Sequence, residues 1–279
     1  MPVNREPTAR DGTDCAPQRS GETTRDAFLG GALYVHQPRQ GYRAGLDAVL
    51  LAASVTAPAS GREQRLLDVG AGVGVVALCA AVRLPGLSVT LVEQSAPLCE
   101  LAARNISENG LDGRACVVRR DIVQPGAASC DQPVDNSFDV VVSNPPFYDM
   151  TRHRSSPNAL KAASHAMPDA GLDAWVRYMA RMTKAGGTAI MIHRTDHLPA
   201  MLSAFQRRFG ALQLLPLHPR RGEPASRVIL RGVKGSRAPF ELCNGVSLHG
   251  RDNRFTPEID KILKAPSPLP LSFEAETGA

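Results

Sequence analysis

Two short segments hold residues whose types and spacing suit group transfer. The first is Asp68-Val69-Gly70-Ala71-Gly72-Val73-Gly74. Glycines at alternate positions let a backbone turn tightly and keep Cβ atoms away from a ligand. A helix starting there would add free N–H groups. Glu93 follows 21 residues after Gly72, and a carboxylate at that distance suits both hydroxyls of a ribose. Gly72-Val73-Gly74-Val75-Val76-Ala77 also fits the dinucleotide pattern G-x-G-x-x-A. The turn alone therefore admits NAD(P) or S-adenosylmethionine. Asp68 ahead of the glycines, and Gly74 at the third place, favour S-adenosylmethionine.

The second segment is Ser143-Asn144-Pro145-Pro146-Phe147. It closes an apolar run that reads as a strand, and in a doubly wound sheet such ends face the ligand crevice. An amino nitrogen attached to a π-system is a poor nucleophile because its lone pair is delocalised. The side-chain oxygen of Asn144 and the carbonyl of Pro145 are two acceptors for its hydrogens. Together they favour a pyramidal nitrogen, which belongs more to the transition state than to the ground state. The prolines fix the backbone through their locked φ, and Phe147 offers a flat face for a base.

Other residues are candidates of lower rank. Asp121 ends a third strand and is placed to accept from a cofactor's adenine amino group. Asp47 precedes an apolar helical run, where it serves as a cap or lies on the cofactor side. Arg152, His153, Arg154, Lys161 and His165 crowd the stretch after Phe147, which reads as a solvated loop or as a cover that meets a polyanion. No Ser/His/Asp or Cys/His spacing suggests a covalent nucleophile. The seven His include no H-E-x-x-H, and the six Cys (15, 79, 99, 116, 130, 243) include no C-x-x-C, so no metal site is expected.

Alternating strands and helices must position these segments. Strands are predicted at 65–70, 88–93, 115–121, 138–147 and 187–193, with helices at 73–84, 95–110, 171–187 and 197–210. Two late strands, ALQLLPLHP and SRVILRGV, have no helix between them. The pattern predicts a parallel α/β sheet of Rossmann-like type with seven strands, ending in a hairpin that puts one antiparallel strand at the edge.

The chain has 279 residues, 43% of them hydrophobic and 21% charged, an ordinary globular composition. Residues 1–25 carry four Arg, four acids and no aromatic, and read as a disordered tail. Residues 265–279, with Pro266, Pro268 and Pro270, read the same way. The domain is expected over 26–264. No apolar stretch suits a secretory leader or a membrane span, and the scattered cysteines suggest a reducing cytoplasm. The net charge is +5; residues 220–254 alone hold eight basic residues against three acids, an excess equal to that of the whole chain. This stretch, with the loop after Phe147, is expected to meet the phosphates of a nucleic acid.

D-x-G-x-G-x-G followed by Glu93, Asp121 and Asn144-Pro145-Pro146-Phe147 resembles the class I S-adenosylmethionine-dependent methyltransferases. More narrowly, FLGGALYVHQPRQGYRAGLDAVLLAA (28–53), NPPFYD (144–149), SRVILRG (226–232) and SLHGRDNRFTPE (247–258) resemble the bacterial tRNA (adenine-N6)-methyltransferase family. The resemblance runs from about Asp26 to Leu263. It implies S-adenosylmethionine as cofactor, tRNA as substrate and no metal. It assigns cofactor contacts to Asp68, Gly70, Gly72, Gly74, Glu93, Asp121 and Asn144, and catalysis to Asn144, Pro145, Pro146 and Phe147. Protein glutamine methyltransferases share N-P-P-F but usually add a helical N-terminal domain, for which about 40 residues leave little room. An rRNA guanine-N2 methyltransferase is a further alternative.

Overall fold

A computed structural model describes residues 23–41, 43–57, 62–123, 133–146 and 169–269. The chain opens with a hairpin of β1 (Thr23–Phe28) and β2 (Leu33–Pro38), followed by helix α1 (Leu46–Ala53). A central unit follows: β3 (Gln64–Val69), α2 (Val75–Arg83), β4 (Leu87–Glu93), α3 (Ala96–Glu108) and β5 (Ala115–Arg119). Then come β6 (Phe138–Ser143), α4 (Asp169–Met182), β7 (Thr183–Arg194), α5 (Leu198–Gln206), β8 (Phe209–Arg220) and β9 (Arg227–Lys234). Two short strands, β10 (Glu241–Leu242) and β11 (Val246–His249), and helix α6 (Pro257–Lys264) complete it.

The main sheet runs β10-β8-β9-β7-β6-β3-β4-β5, with β11 also paired to β8. The pairs from β5 through β7 are all parallel. Strand residues alternate between two apolar layers, as a pleat requires. Leu66, Leu91, Val140, Val142, Ile190 and Ile192 pack with helices α1 to α3 and α6. Leu67, Val92, Val141, Met191 and Leu230 pack with α4 and α5 on the other face. This is the doubly wound arrangement expected from the sequence.

The details differ in four places. The sheet has nine strands rather than seven, because β10 and β11 are only two and four residues long and pair beside β8. The hairpin of β8 and β9 is present, but the antiparallel strand is β9, lodged between β7 and β8 near that edge. The first tail boundary falls inside a strand, since Thr23–Arg25 already pair with β2. At the other end, Leu269 is docked: its N–H donates to the Ala53 carbonyl at 2.8 Å and its side chain is buried. Among the described residues, no helix is long and apolar enough to cross a membrane.

Candidate active site

The site is fixed by strand register. Val69, ending β3, is level with Ser143, ending β6, and with Val92 of β4. Glu93 is in turn level with Arg119 of β5. The residues that follow, Gly70 and Asn144, therefore leave adjacent parallel strands about 4.8 Å apart, with Glu93 on the other side. Asp121 lies two residues beyond Arg119. The sequence candidates thus form one row along the carboxyl edge of the sheet, in the order Asp121, Glu93, glycine turn, Asn144.

Gly70, Gly72 and Gly74 all hold left-handed φ values, +71°, +57° and +93°. Their surroundings differ. A Cβ on Gly70 would come within 2.6 Å of the Trp175 ring, whereas one on Gly72 would meet nothing within 4 Å. Gly70 is required by packing as well as by backbone; Gly72 is the open position where a ligand can approach. Gly74 precedes α2 as its N-cap residue. The space beside Gly72, the free N–H groups of α2 and a nearby carboxylate fit the nucleoside end of S-adenosylmethionine.

Glu93 orders this turn. Its Oε2 accepts the Gly72 N–H at 2.9 Å, and its Oε1 accepts the N–H groups of Gln94 and Ser95, both at 2.9 Å. The side chain is only 8% exposed, so its rotamer is held. An ionised carboxylate oxygen accepts two hydrogen bonds, which leaves Oε2 a second place for a hydroxyl. Asp68 lies beneath the turn, 1% exposed, with Oδ2 accepting the Ala77 N–H at 3.2 Å. Burial pushes its carboxyl up to about 7, and the charge of Glu93 adds to the rise. Asp121 is half-buried, and its Oδ1 accepts the Val123 N–H at 2.8 Å, closing an Asx turn.

Asn144 and Pro146 are half-buried and Pro145 is buried. Phe147, Arg152, His153, Arg154, Lys161 and His165 lie outside the described residues. Asp47 is not the N-cap residue, which is Gly45; it stands in the first turn of α1 and accepts from Arg227 Nε of β9 at 3.0 Å. His193 and His197 do approach, with ring centroids 4.5 Å apart. Among the described residues no cluster of three metal-ligating side chains occurs, and burial pushes His193 down to about 3.

Two groups of supporting residues were not singled out from the sequence. Trp175, the only tryptophan, donates Nε1–H to Ser143 Oγ at 2.7 Å, and Ser143 Oγ donates to the Val69 carbonyl at 2.8 Å. Asn105 of α3 and Asn109, which caps its C-terminus, dock the hairpin by pairing with the backbone of His36 and Tyr34. Asn105 also donates to the carbonyl of Val73, inside the glycine turn, at 3.0 Å. Both are long-range contacts; the only local signals are the lone Trp and the paired amides.

Comparison with known proteins finds relatives by sequence and by fold. The family model of the methyltransferase small domain matches residues 45–174. A ribosomal protein uL3 glutamine methyltransferase of Bradyrhizobium diazoefficiens is 34% identical over 110 residues, 39% of this chain and 32% of the relative. A tRNA1(Val) (adenine(37)-N6)-methyltransferase of Porphyromonas gingivalis is 34% identical over 113 residues, 40% of this chain and 43% of the relative. The chain thus matches less than half the length of these curated relatives. The crystal structure of a protein from Agrobacterium tumefaciens, described as a predicted O-methyltransferase, superposes with TM-score 0.65 at 28% identity, covering 80% of this chain and 98% of that one. Residues 45–174 thus match the methyltransferase small domain, and the chain's fold is similar to that of the Agrobacterium tumefaciens protein.

Proposed function

We propose that the protein transfers a methyl group from S-adenosylmethionine to an exocyclic amine of a nucleobase in RNA, the N6 of an adenine in tRNA. One observation carries this reading: Gly70 and Asn144 leave adjacent, level strands, so a donor beside the glycine turn and an acceptor held by Asn144 share one crevice. When bound, S-adenosylmethionine supplies a methyl group on a positively charged sulfur. The chain's residues do the rest. Glu93 takes the ribose hydroxyls with Oε2, Asp121 receives the adenine amino group, and Asp68 supports the turn from below.

Asn144 Oδ1 and the Pro145 carbonyl accept the two hydrogens of the target NH₂. This draws the nitrogen toward a pyramidal shape and frees its lone pair. Pro145 and Pro146 keep the two acceptors from drifting, and Phe147 stacks on the target base. The domain that does this runs from β1 to Leu269. The tRNA substrate argues for the cytoplasm as the place of action.

Incubating the protein with bulk RNA and methyl-labelled S-adenosylmethionine, then digesting the RNA, tests the proposal. Label in N6-methyladenosine supports it. A side-chain amide of glutamine is also a planar NH₂, and the uL3 relative is a glutamine methyltransferase by name. Label in protein, or in N2-methylguanosine, would replace the adenine reading.

A further inference from the structure

The eight basic residues between 220 and 254 do not form one surface. Lys234 ends β9 at the edge opposite the site, where its Nζ donates to Asn136 Oδ1 and to the carbonyls of Ala180 and Thr183. Arg237 follows on that side. Arg231 stands in mid-strand, with Nη1 on Gln213 Oε1 at 3.5 Å. Arg227 is held by Asp47. The remaining four, Arg220, Arg221, Arg251 and Arg254, gather elsewhere.

Register brings those four together. His249 of β11 is level with Arg220 of β8, so the turn after β8 and the loop 250–254 leave the sheet side by side. Arg220 ties them, donating to Glu223 Oε1 at 3.2 Å and to Asn253 Oδ1. The loop is closed by the Gly250 N–H on the Arg254 carbonyl at 2.8 Å and by His249 stacked on Phe255, centroids 4.7 Å apart and planes 25° apart. Arg221, Arg251 and Arg254 are exposed. Among the described residues neither Arg221 nor Arg251 forms an ion pair, and Arg254 has only a 3.7 Å contact with Asp252. The result is a two-loop platform, tied by hydrogen bonds, with three exposed arginines beside a stacked aromatic pair.

Its position defines its use. Leu217 of β8 is level with Arg227 of β9, and Arg227 with Arg194 of β7, so the platform stands on the same edge as Asn144. Three strand spacings separate β6 from β8 and four separate it from β11, which puts the platform roughly 14–19 Å to one side. That is too far to touch the reacting base. Guanidinium groups match phosphate oxygens in a fixed fork, and an aromatic face beside them suits an unpaired base. We infer that the platform of Arg221, Arg251, Arg254 and the His249–Phe255 stack grips the RNA backbone away from the target nucleotide and sets its approach to Asn144. This rests on the RNA reading above.

The test is the triple variant R221E/R251E/R254E, whose side chains are all exposed, assayed with bulk tRNA against wild type. The expected result is a rise of about 30-fold in KM for tRNA, with kcat at saturating tRNA changed less than about 2-fold and S-adenosylmethionine affinity unchanged. The dependence of log(kcat/KM) on log[salt] should become shallower by about 2, close to 0.7–0.9 per lost phosphate contact. A triple variant with wild-type KM and salt slope would overturn the platform while leaving the RNA reading intact. Wild type that neither binds nor methylates tRNA in the same assay would overturn both. Loss of methylation of a protein substrate in the variant would make the platform a protein contact and contradict the inference.

Discussion

The indole of Trp175 hydrogen-bonds Ser143 Oγ at 2.7 Å while the same ring fills the space beside Gly70, where a Cβ would be 2.6 Å away. One side chain of α4 thus touches both halves of the crevice, the residue before Asn144 and the first glycine of the turn. It fixes the spacing between them. Trp175→Phe keeps a ring against Gly70 but removes the donor. A small shift of Asn144 should lower kcat roughly 10-fold, with S-adenosylmethionine affinity changed less than about 3-fold. Ser143→Ala should do the same, and the double variant should cost little more than either alone. Steady-state kinetics with isothermal titration checks this.

Glu93 anchors the glycine turn that the proposed function assigns to the cofactor. Glu93→Ala removes the acceptor for the N–H groups of Gly72, Gln94 and Ser95 together. Weakening of S-adenosylmethionine binding by roughly 30-fold or more is expected, about 2 kcal/mol for a lost charged acceptor. Glu93→Gln keeps one acceptor oxygen and should recover part of it. Titration of S-adenosylhomocysteine provides the measurement.

Asp68 and His193 predict opposite pH effects on stability. The folded chain keeps a proton on Asp68 up to about 7, where an unfolded carboxyl has already lost it. Stability from this group therefore falls as pH rises between about 4 and 7 and stays low above that window. His193 is held neutral down to about 3, while an unfolded imidazole takes a proton in its ordinary range. Its effect runs the other way: stability falls as pH drops below about 6.5. Asp68→Asn should remove the first effect and keep the second. Its melting temperature should exceed wild type by about 4 °C at about pH 8, for a relief of about 1–2 kcal/mol, and should climb between about pH 4.5 and 6.5. Thermal melts across pH check both signs.

Asn105 joins the N-terminal hairpin to the glycine turn. It is fully buried, accepts the His36 N–H at 2.7 Å and donates to the carbonyls of His36 and Val73. Asn105→Ala leaves those three backbone groups without this partner. A loss of about 3 kcal/mol is expected, a drop of roughly 8 °C in melting temperature. Weaker cofactor binding should follow because Val73 lies within the turn.

The sequence made the centre of this molecule readable because its signals are local. RLLDVG is an apolar run ended by glycine, and it is β3. Ser95, Pro97 and Asn109-Gly110 bracket α3 within two residues. Asn144 and the glycines fall on one edge because strand order and direction follow from the alternation. What was not readable depends on distance in the chain. Trp175 meets Ser143 across 32 residues, and Asn105 meets His36 across 69. A two-residue strand such as β10 has no periodicity to detect. Nor does a count of arginines reveal that Lys234 caps helix α4 on the far edge while Arg220 holds Asn253 and Arg221 stays exposed.

In the proposed function, Asn144 holds the acceptor nitrogen beside the donor. Its most direct test compares wild type with Asn144→Ala in transfer of labelled methyl from S-adenosylmethionine into N6-methyladenosine of bulk tRNA, with cofactor binding titrated on the same samples. Transfer is expected to fall by about 10³-fold, the scale set by removing one preorganised transition-state contact, with cofactor affinity within about 3-fold of wild type. An Asn144→Ala protein that still methylates adenine at a rate near wild type would contradict it.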